Sequence, residues 1–261
     1  MLLSEVRESD LFTLDKEAKK PAGGSTHPIK ILKSKDDMSR WFSKSSAASE
    51  LQTVNEYLAY LLYKLFGLGV VNKAMLAVGD DGELRFVASS AKGKQIQHPS
   101  ELKGTDFRKG LFVDAMIGHW DVVGNAPRYN VFVDPDTMTT MRIDTGGLDF
   151  RAQGGRKGKY FGPKVGEMST FAGIGGDALS GESSAAAFKN MTDKELAEAA
   201  RLFKAVRWSE IEALMSKVQS EVDDLEMPDL SRDTKTYLMQ VKPILKERYN
   251  HVTEVIAGLK A

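Results

Sequence analysis

The sequence predicts an α+β chain in two parts, a small antiparallel sheet with one helix over about the first 90 residues and then a mainly helical body. Three observations predict it. Short apolar runs separated by turn signals crowd the N-terminal third. One capped helix interrupts them. From Met191 onward apolar residues recur at helical spacing.

Residues 1–20 are charged, with a weak apolar pattern (Leu2, Leu3, Val6, Leu11, Leu14) that suits a short helix or strand docked on the body. Pro21-Ala22-Gly23-Gly24-Ser25-Thr26 follows. A glycine pair before hydroxyls can place backbone N–H groups against phosphate oxygens, although most such stretches are linkers. Ile29-Lys30-Ile31-Leu32 reads as a strand, Lys35-Asp36-Asp37-Met38 as a hairpin turn, and Arg40-Trp41-Phe42-Ser43-Lys44 as a second strand ending in lysine. Ser49 is an N-cap, and Gln52 three residues on completes a capping-box pattern. Leu51, Val54, Leu58, Leu61, Leu62 and Leu65 follow on one face, and Gly67 stops the helix. Glu56 lies off that stripe and by itself reads as a solvated glutamate. The lysine-bearing strand precedes this helix by a few residues, so a Lys44–Glu56 ion pair is sterically easy and would hold a lysine against phosphates. Strands are expected from Val70 to Val78 and from Leu84 to Ala88, joined by the turn Gly79-Asp80-Asp81-Gly82. Ser89 and Ser90 end the sheet, and the polar stretch Ala91 to Gly110 crosses to the second part.

Composition narrows the function classes. The chain has 261 residues, enough for one large domain or two lobes around a cleft. It is 42% hydrophobic and 28% charged with zero formal net charge, so no global field argues for nucleic acid or an acidic membrane. The absence of cysteine excludes a disulfide scaffold, a thiolate metal site and a cysteine nucleophile. No apolar run approaches a membrane span, and Glu5 is acidic too early for a signal peptide. A soluble, cytoplasmic protein is expected. His27, His98 and His251 show no ligand spacing.

The chemistry concentrates between Leu111 and Gly155, which reads as helix, polar loop, short strand, turn, short strand and glycine pair. Asp121 and Asp144 lie just past apolar segments, and Asn130 heads the strand Val131-Phe132-Val133. Oxygen ligands of this kind suit Mg²⁺, which takes one or two carboxylates plus substrate phosphates. Phosphoryl transfer needs one carboxylate to orient the nucleophile and others to hold the metal. Asp134 and Asp136 read as turn residues only. The stretch Arg151 to Lys159 is rich in glycine and cations and is either a substrate-receiving loop or a solvated one. Gly173 to Ala187 is Gly/Ser/Ala-rich, with Ser180, Ser183 and Ser184 as exposed hydroxyls open to self-phosphorylation. Thr192 with Glu195 caps a helix, Trp208 opens another, Pro228 breaks it, and Thr234 to Lys260 forms a last amphipathic helix bent near Pro243. Its stripe is expected to be core.

The order of these parts resembles the protein kinase superfamily. A glycine-rich hairpin, a strand lysine, a helix glutamate, two strands and a crossing segment come first. A helix then leads to His119-Trp120-Asp121, which looks like the His-Arg-Asp of a catalytic loop, and Asp144-Thr145-Gly146 stands where Asp-Phe-Gly would be. Trp41-Phe42-Ser43-Lys44, Asn55-Glu56, Trp120-Asp121-Val122-Val123-Gly124 and Arg142-Ile143-Asp144-Thr145-Gly146-Gly147 with Phe150-Arg151-Ala152-Gln153-Gly154 are similar to the atypical branch. That branch holds phosphatidylinositol kinases, HipA-type bacterial toxin kinases and kinase-like proteins of bacteria and phages. The resemblance covers roughly residues 20–215.

The resemblance implies a two-lobed kinase-like fold: an extension over 1–20, a nucleotide-binding lobe over 21–90, and a helical lobe with the catalytic and metal loops over 91–261. It implies ATP and Mg²⁺ as cofactors, and a protein substrate with Ser or Thr hydroxyls. Small-molecule or lipid phosphorylation, AMP transfer and a non-catalytic binding module are the alternatives. Lys44 would contact the ATP phosphates, held by Glu56. Asp121 would orient the substrate hydroxyl and accept its proton. Asn130 and Asp144 would hold Mg²⁺, Gly23, Gly24 and Ser25 would cover the phosphates, and Ala88, Ser89 and Ser90 would face adenine. One departure stands out. In ordinary kinases the metal asparagine follows the catalytic aspartate by about five residues, where this chain has Ala126. Asn130 is preferred because a strand fixes its direction, and Asn125 remains the alternative. Lys30 and Lys33 compete with Lys44 but follow the glycine loop too closely to lie across a hairpin from it.

Overall fold

A computed structural model describes residues 7–15, 29–46, 49–125, 128–148, 161–174 and 185–259. The expected phosphate loop with Gly23, Gly24 and Ser25, the cation-rich stretch 151–159, and Ser180, Ser183 and Ser184 lie outside the described residues.

The N-terminal part is an antiparallel sheet of β1 (Phe12–Leu14), β2 (Ile29–Ser34), β3 (Arg40–Lys44), β4 (Ala74–Val78) and β5 (Leu84–Ser89), in the order β1-β2-β3-β5-β4. A single helical turn, α1 (Glu8–Leu11), leads into β1, and Arg7 bridges Val78 on the opposite edge, so the sheet curls on itself. Strand alternation sorts its side chains onto two faces. Phe12, Leu32, Trp41, Ala77 and Val87 form a small core of their own inside the curl. Leu76, Leu84, Phe86 and Ala88 point the other way, into the main core. Lys44 lies opposite Phe86 and therefore shares this second face.

The helix on that face is α2 (Glu50–Leu65). Ser49 caps it by accepting from the Leu51 N–H at 3.1 Å. The expected capping box does not close, because Gln52 instead accepts a hydrogen bond from the Ser46 hydroxyl at 2.7 Å. Gly67, at φ 71°, ends the helix region. Every residue from Gln52 to Tyr63 is buried, a wider buried surface than the leucine stripe implies, since the sheet covers one side and helices of the second part cover the other. The strand expected from Val70 begins only at Ala74. Val70 bridges Arg142 instead, and the Arg142 N–H donates to Gly69 O at 2.8 Å. Gly69 is needed there, because a Cβ would overlap the Thr140 carbonyl.

The crossing segment is more ordered than a loop. It holds the two-residue strand β6 (Lys94–Gln95) and two 3₁₀ turns, Pro99–Leu102 and Asp106–Gly110. Then come α3 (Leu111–Met116), the hairpin β7 (Gly124–Asn125) and β8 (Arg128–Tyr129), and strands β9 (Val131–Val133) and β10 (Thr140–Arg142), which join β6 in the order β10-β9-β6. The helices α4 (Glu167–Ala172), α5 (Ala185–Phe188), α6 (Asp193–Lys204), α7 (Trp208–Asp223) and α8 (Pro228–Gly258) complete the second part. The Thr192–Glu195 capping box forms at α6. Helix α8 starts at Pro228, ahead of the expected Thr234, because a proline without an N–H fits the first helical position. Its Leu238, Val241, Leu245, Val252 and Ile256 are buried in the chain's own core. Arg248 of α8 donates to the Ala115 and Met116 carbonyls at 2.8 and 2.6 Å and pairs with Glu167 at 2.9 Å. It thus caps the C-terminal end of α3, immediately before His119-Trp120-Asp121. Among the described residues no helix is long and apolar enough to cross a membrane.

Candidate active site

Lys44, at the end of β3, and Glu56, in the second turn of α2, face each other because their elements pack on the same side of the sheet. Lys44 Nζ lies 3.1 and 3.0 Å from the two Glu56 carboxylate oxygens and also contacts the Asp144 carboxylate. Burial alone would lower the lysine; the Asp144 and Glu56 carboxylates outweigh it and push Lys44 up, so the ammonium stays charged. Burial pushes Glu56 upward, with Lys44 pulling it back and Asp144 adding to the rise.

Asp144 follows β10 and takes a left-handed backbone, φ 53°. Its carboxylate is half exposed. The next residue ties the loop down, as the Thr145 hydroxyl donates to the Glu56 carbonyl at 3.2 Å. Asp121 follows α3 in a tight turn, with Gly124 N–H donating to its carbonyl at 3.0 Å. One carboxylate oxygen, Oδ1, is buried without a hydrogen-bond partner. Burial and then the charge of Asp144 push Asp121 up to about 6. Asn130 is held between the two aspartate loops. Its N–H donates to Val123 O at 2.8 Å, its carbonyl accepts from Ile143 N–H at 2.9 Å, and its amide Nδ2 donates to Asp121 O at 2.9 Å. The side chain of Asn125, the alternative, lies outside what the structure describes.

The residues present fit a hard divalent cation. Asp144 offers a half-exposed carboxylate, and the Asn130 amide nitrogen is committed to Asp121 O, which leaves the Asn130 amide oxygen for a ligand. No group of three or more His, Asp or Glu that could form a protein-only metal cage occurs among the described residues.

Of the expected adenine-facing residues, Ala88 lies opposite Phe42 on the Lys44 face of the sheet. Ser89 lies opposite Trp41 and turns the other way, its hydroxyl accepting from Lys73 N–H at 3.1 Å. The Ser90 hydroxyl donates to Arg40 O at 2.9 Å. Only Ala88 therefore offers a side chain to the cleft face. Lys30 pairs with Glu8 at 3.7 Å and Lys33 with Asp15 at 3.7 Å, away from the carboxylates around Lys44.

Beneath these residues runs a buried network that the sequence reading assigned no role. Asp114 and Arg142 form a two-point ion pair, Nε to Oδ1 at 3.1 Å and Nη2 to Oδ2 at 2.8 Å, with neither side chain exposed. The Tyr63 hydroxyl donates to Asp114 Oδ1 at 2.6 Å and lies 2.8 Å from His119 Nδ1. His119 also hydrogen-bonds the Asp144 backbone, linking the catalytic-loop candidate to the metal-loop candidate. Burial pushes His119 down from 6.5 to about 4. Its folded pKa lies below its unfolded one, so its contribution to stability is present above 6.5 and is lost as pH falls toward 4. The gap corresponds to roughly 3 kcal/mol at most. Melting curves of wild type and His119→Gln between about pH 7 and pH 4 should converge as pH falls, with the wild type losing more. Parallel curves would show that His119 is not held neutral by the fold.

Among solved structures, the chain is similar to the crystal structure of a Helicobacter pylori proinflammatory kinase, CtkA, with a TM-score of 0.52 at 12% identity over 96% of this chain and 97% of that one. No family model matches the sequence, and no curated protein matches it. At that identity the likeness is one of fold, and it spans nearly the whole of both chains. The curled antiparallel sheet with its helix and the helical second part are the two lobes of a protein-kinase-like fold.

Proposed function

We propose that this chain is an ATP- and Mg²⁺-dependent phosphotransferase of the atypical, HipA-like kind, acting on Ser or Thr hydroxyls of a protein. The observation that carries this reading is the convergence of Lys44, Glu56, Asp121, Asn130 and Asp144 from five separate segments onto one site. A lysine held charged against a buried glutamate can bind phosphate oxygens. A carboxylate with an orphaned oxygen and a pKa near 6 suits a proton acceptor better than a purely structural role. The kinase-like fold supports the class of reaction.

In this reading the substrate hydroxyl oxygen attacks the γ-phosphorus, and the bond to the ADP oxygen breaks. Asp121 orients the hydroxyl and takes its proton. Lys44 stabilises the phosphate oxygens, and Glu56 keeps the lysine aimed. Asp144 and Asn130 would hold Mg²⁺, which when bound neutralises the charge of the phosphates. A pure binding module has no use for the Asp121 carboxylate in this position.

The test uses purified protein, Mg²⁺ and ATP labelled on either the γ- or the α-phosphate, with and without a bacterial lysate. Protein label from the γ sample alone, lost in Asp144→Asn, is the expected result. Label from both samples would replace the reading with AMP transfer. A magnesium-dependent melting shift without protein label would move it to a small-molecule kinase or a binding module. Absence of both the label and the shift would overturn the reading.

A further inference from the structure

Glu56 is flanked by two residues whose side chains reach away from the cleft. Asn55, 1% exposed, donates from Nδ2 to the Tyr237 hydroxyl of α8 at 2.7 Å. The Tyr57 side chain faces Glu221 of α7, and burial and then the Glu221 charge push its phenol up. The Glu56 carbonyl accepts from Thr145. Asn55 and Glu56 of α2 are therefore tied by directional bonds to α8 and to the Asp144 loop, and the next residue, Tyr57, faces α7. Apolar packing is non-directional and would let a buried helix settle in more than one rotation. Hydrogen bonds with fixed geometry would not. A change of one residue in rotation swings a helical side chain through about 100°, which would carry Glu56 off Lys44 and put Asn55 or Tyr57 in its place. The junction is also incompletely satisfied, since Asn55 Oδ1, Glu221 Oε2 and Thr234 Oγ1 are buried without hydrogen-bond partners. Apolar side chains would cost less there, so stability alone does not account for polar residues at these positions.

We propose that the α7–α8 pair is a built-in positioning device for the site, with Tyr237 and Glu221 fixing the rotation of α2 that delivers Glu56 to Lys44. This rests on the reading of Glu56 as the partner of a phosphate-binding lysine. Tyr237 and Glu221 are positioning residues, since neither touches the reacting groups. Control of the glutamate helix is thereby assigned to the chain's own C-terminal helices, with no call for a second protein to press α2 into place.

The experiment is a double-mutant cycle on the full chain with two readouts. Tyr237→Phe removes one hydroxyl, and Glu56→Gln removes the charge it is held to deliver. The first readout is transfer of γ-phosphate as above. The second is the rate at which an acylating reagent modifies Lys44 in nucleotide-free protein, followed by mass spectrometry. Lys44 is shielded while Glu56 holds it. Tyr237→Phe is expected to raise Lys44 modification and lower transfer by on the order of two- to tenfold, and to do neither in the Glu56→Gln background. Tyr57→Phe should behave alike and serves if Tyr237→Phe does not fold. Equal effects with and without Glu56 would mean that Tyr237 only stabilises the fold, and would overturn the proposal, as would no effect at all. If wild type transfers no phosphate but the labelling cycle is non-additive, the positioning stands and the kinase reading falls.

Discussion

Asp144→Asn is expected to lower phosphate transfer by on the order of 10³-fold while the melting temperature stays close to that of wild type. Asparagine is the informative replacement. Position 144 has φ 53°, a conformation that Asn tolerates and Ala does not. An Ala variant would mix backbone strain with lost chemistry. The side chain is half exposed, so loss of its charge leaves no buried group stranded. Lys44 keeps Glu56. Asp121 becomes easier to ionise, because the Asp144 charge is one of the two causes that push it up. Loss of activity in this variant would therefore not be a loss of the proton acceptor. On the proposed function it would be loss of a ligand to a phosphate-bound cation, and the magnesium-dependent melting shift with ATP should shrink in parallel. Asp121→Asn should also abolish transfer but leave that shift nearly intact. Full activity in either variant would overturn the assignment.

Much of the first lobe could be read from residues alone, because its signals are local. The strand from Ile29, the turn at Lys35, the strand ending at Lys44, the Ser49 cap and the stop at Gly67 each depend on neighbours within a few positions. The strand start expected at Val70 fails for the opposite reason, as Val70 pairs with Arg142 in the other lobe. Gln52 had a suitable local role but was taken by Ser46. The five candidate residues were nameable as a pattern, yet periodicity placed Glu56 off the helix's apolar stripe. It is buried against Lys44 and the Asp144 loop, whose Thr145 lies 89 residues further along the chain. The network below the site did leave a trace. Asp114 is the lone charge in the apolar run Leu111 to Ile117, and Arg142 is a lone charge between apolar neighbours. A single charge in each of two buried segments, of opposite sign, is the signature of a buried pair.

That pair carries the other large expectation. Arg142→Met should destabilise the fold by about 3–5 kcal/mol, because it leaves Asp114 charged and unpaired in the interior. This is a large share of the typical stability of a domain, about 5–15 kcal/mol. The surroundings allow no easy relief. The guanidinium lies 4.4 Å from the Phe107 ring centroid and 5.4 Å from that of Tyr63, and Gly110 has no room for a Cβ beside it. Asp114→Leu alone should cost a similar amount by stranding the arginine. The double variant Arg142→Met with Asp114→Leu should be more stable than either single variant, since an apolar pair replaces both charges at once. Urea unfolding of the four proteins reads this directly, and additive losses would overturn it. Activity should not recover with stability. Arg142 stands two residues before Asp144, and Asp114 stands on the helix that leads to Asp121. The ion pair joins strand β10 to helix α3 at one fixed spacing, whereas methionine and leucine can pack at several. A refolded double variant with weak transfer would separate the two roles of the pair, showing that its directional geometry sets the distance between the two aspartates while its burial sets the stability.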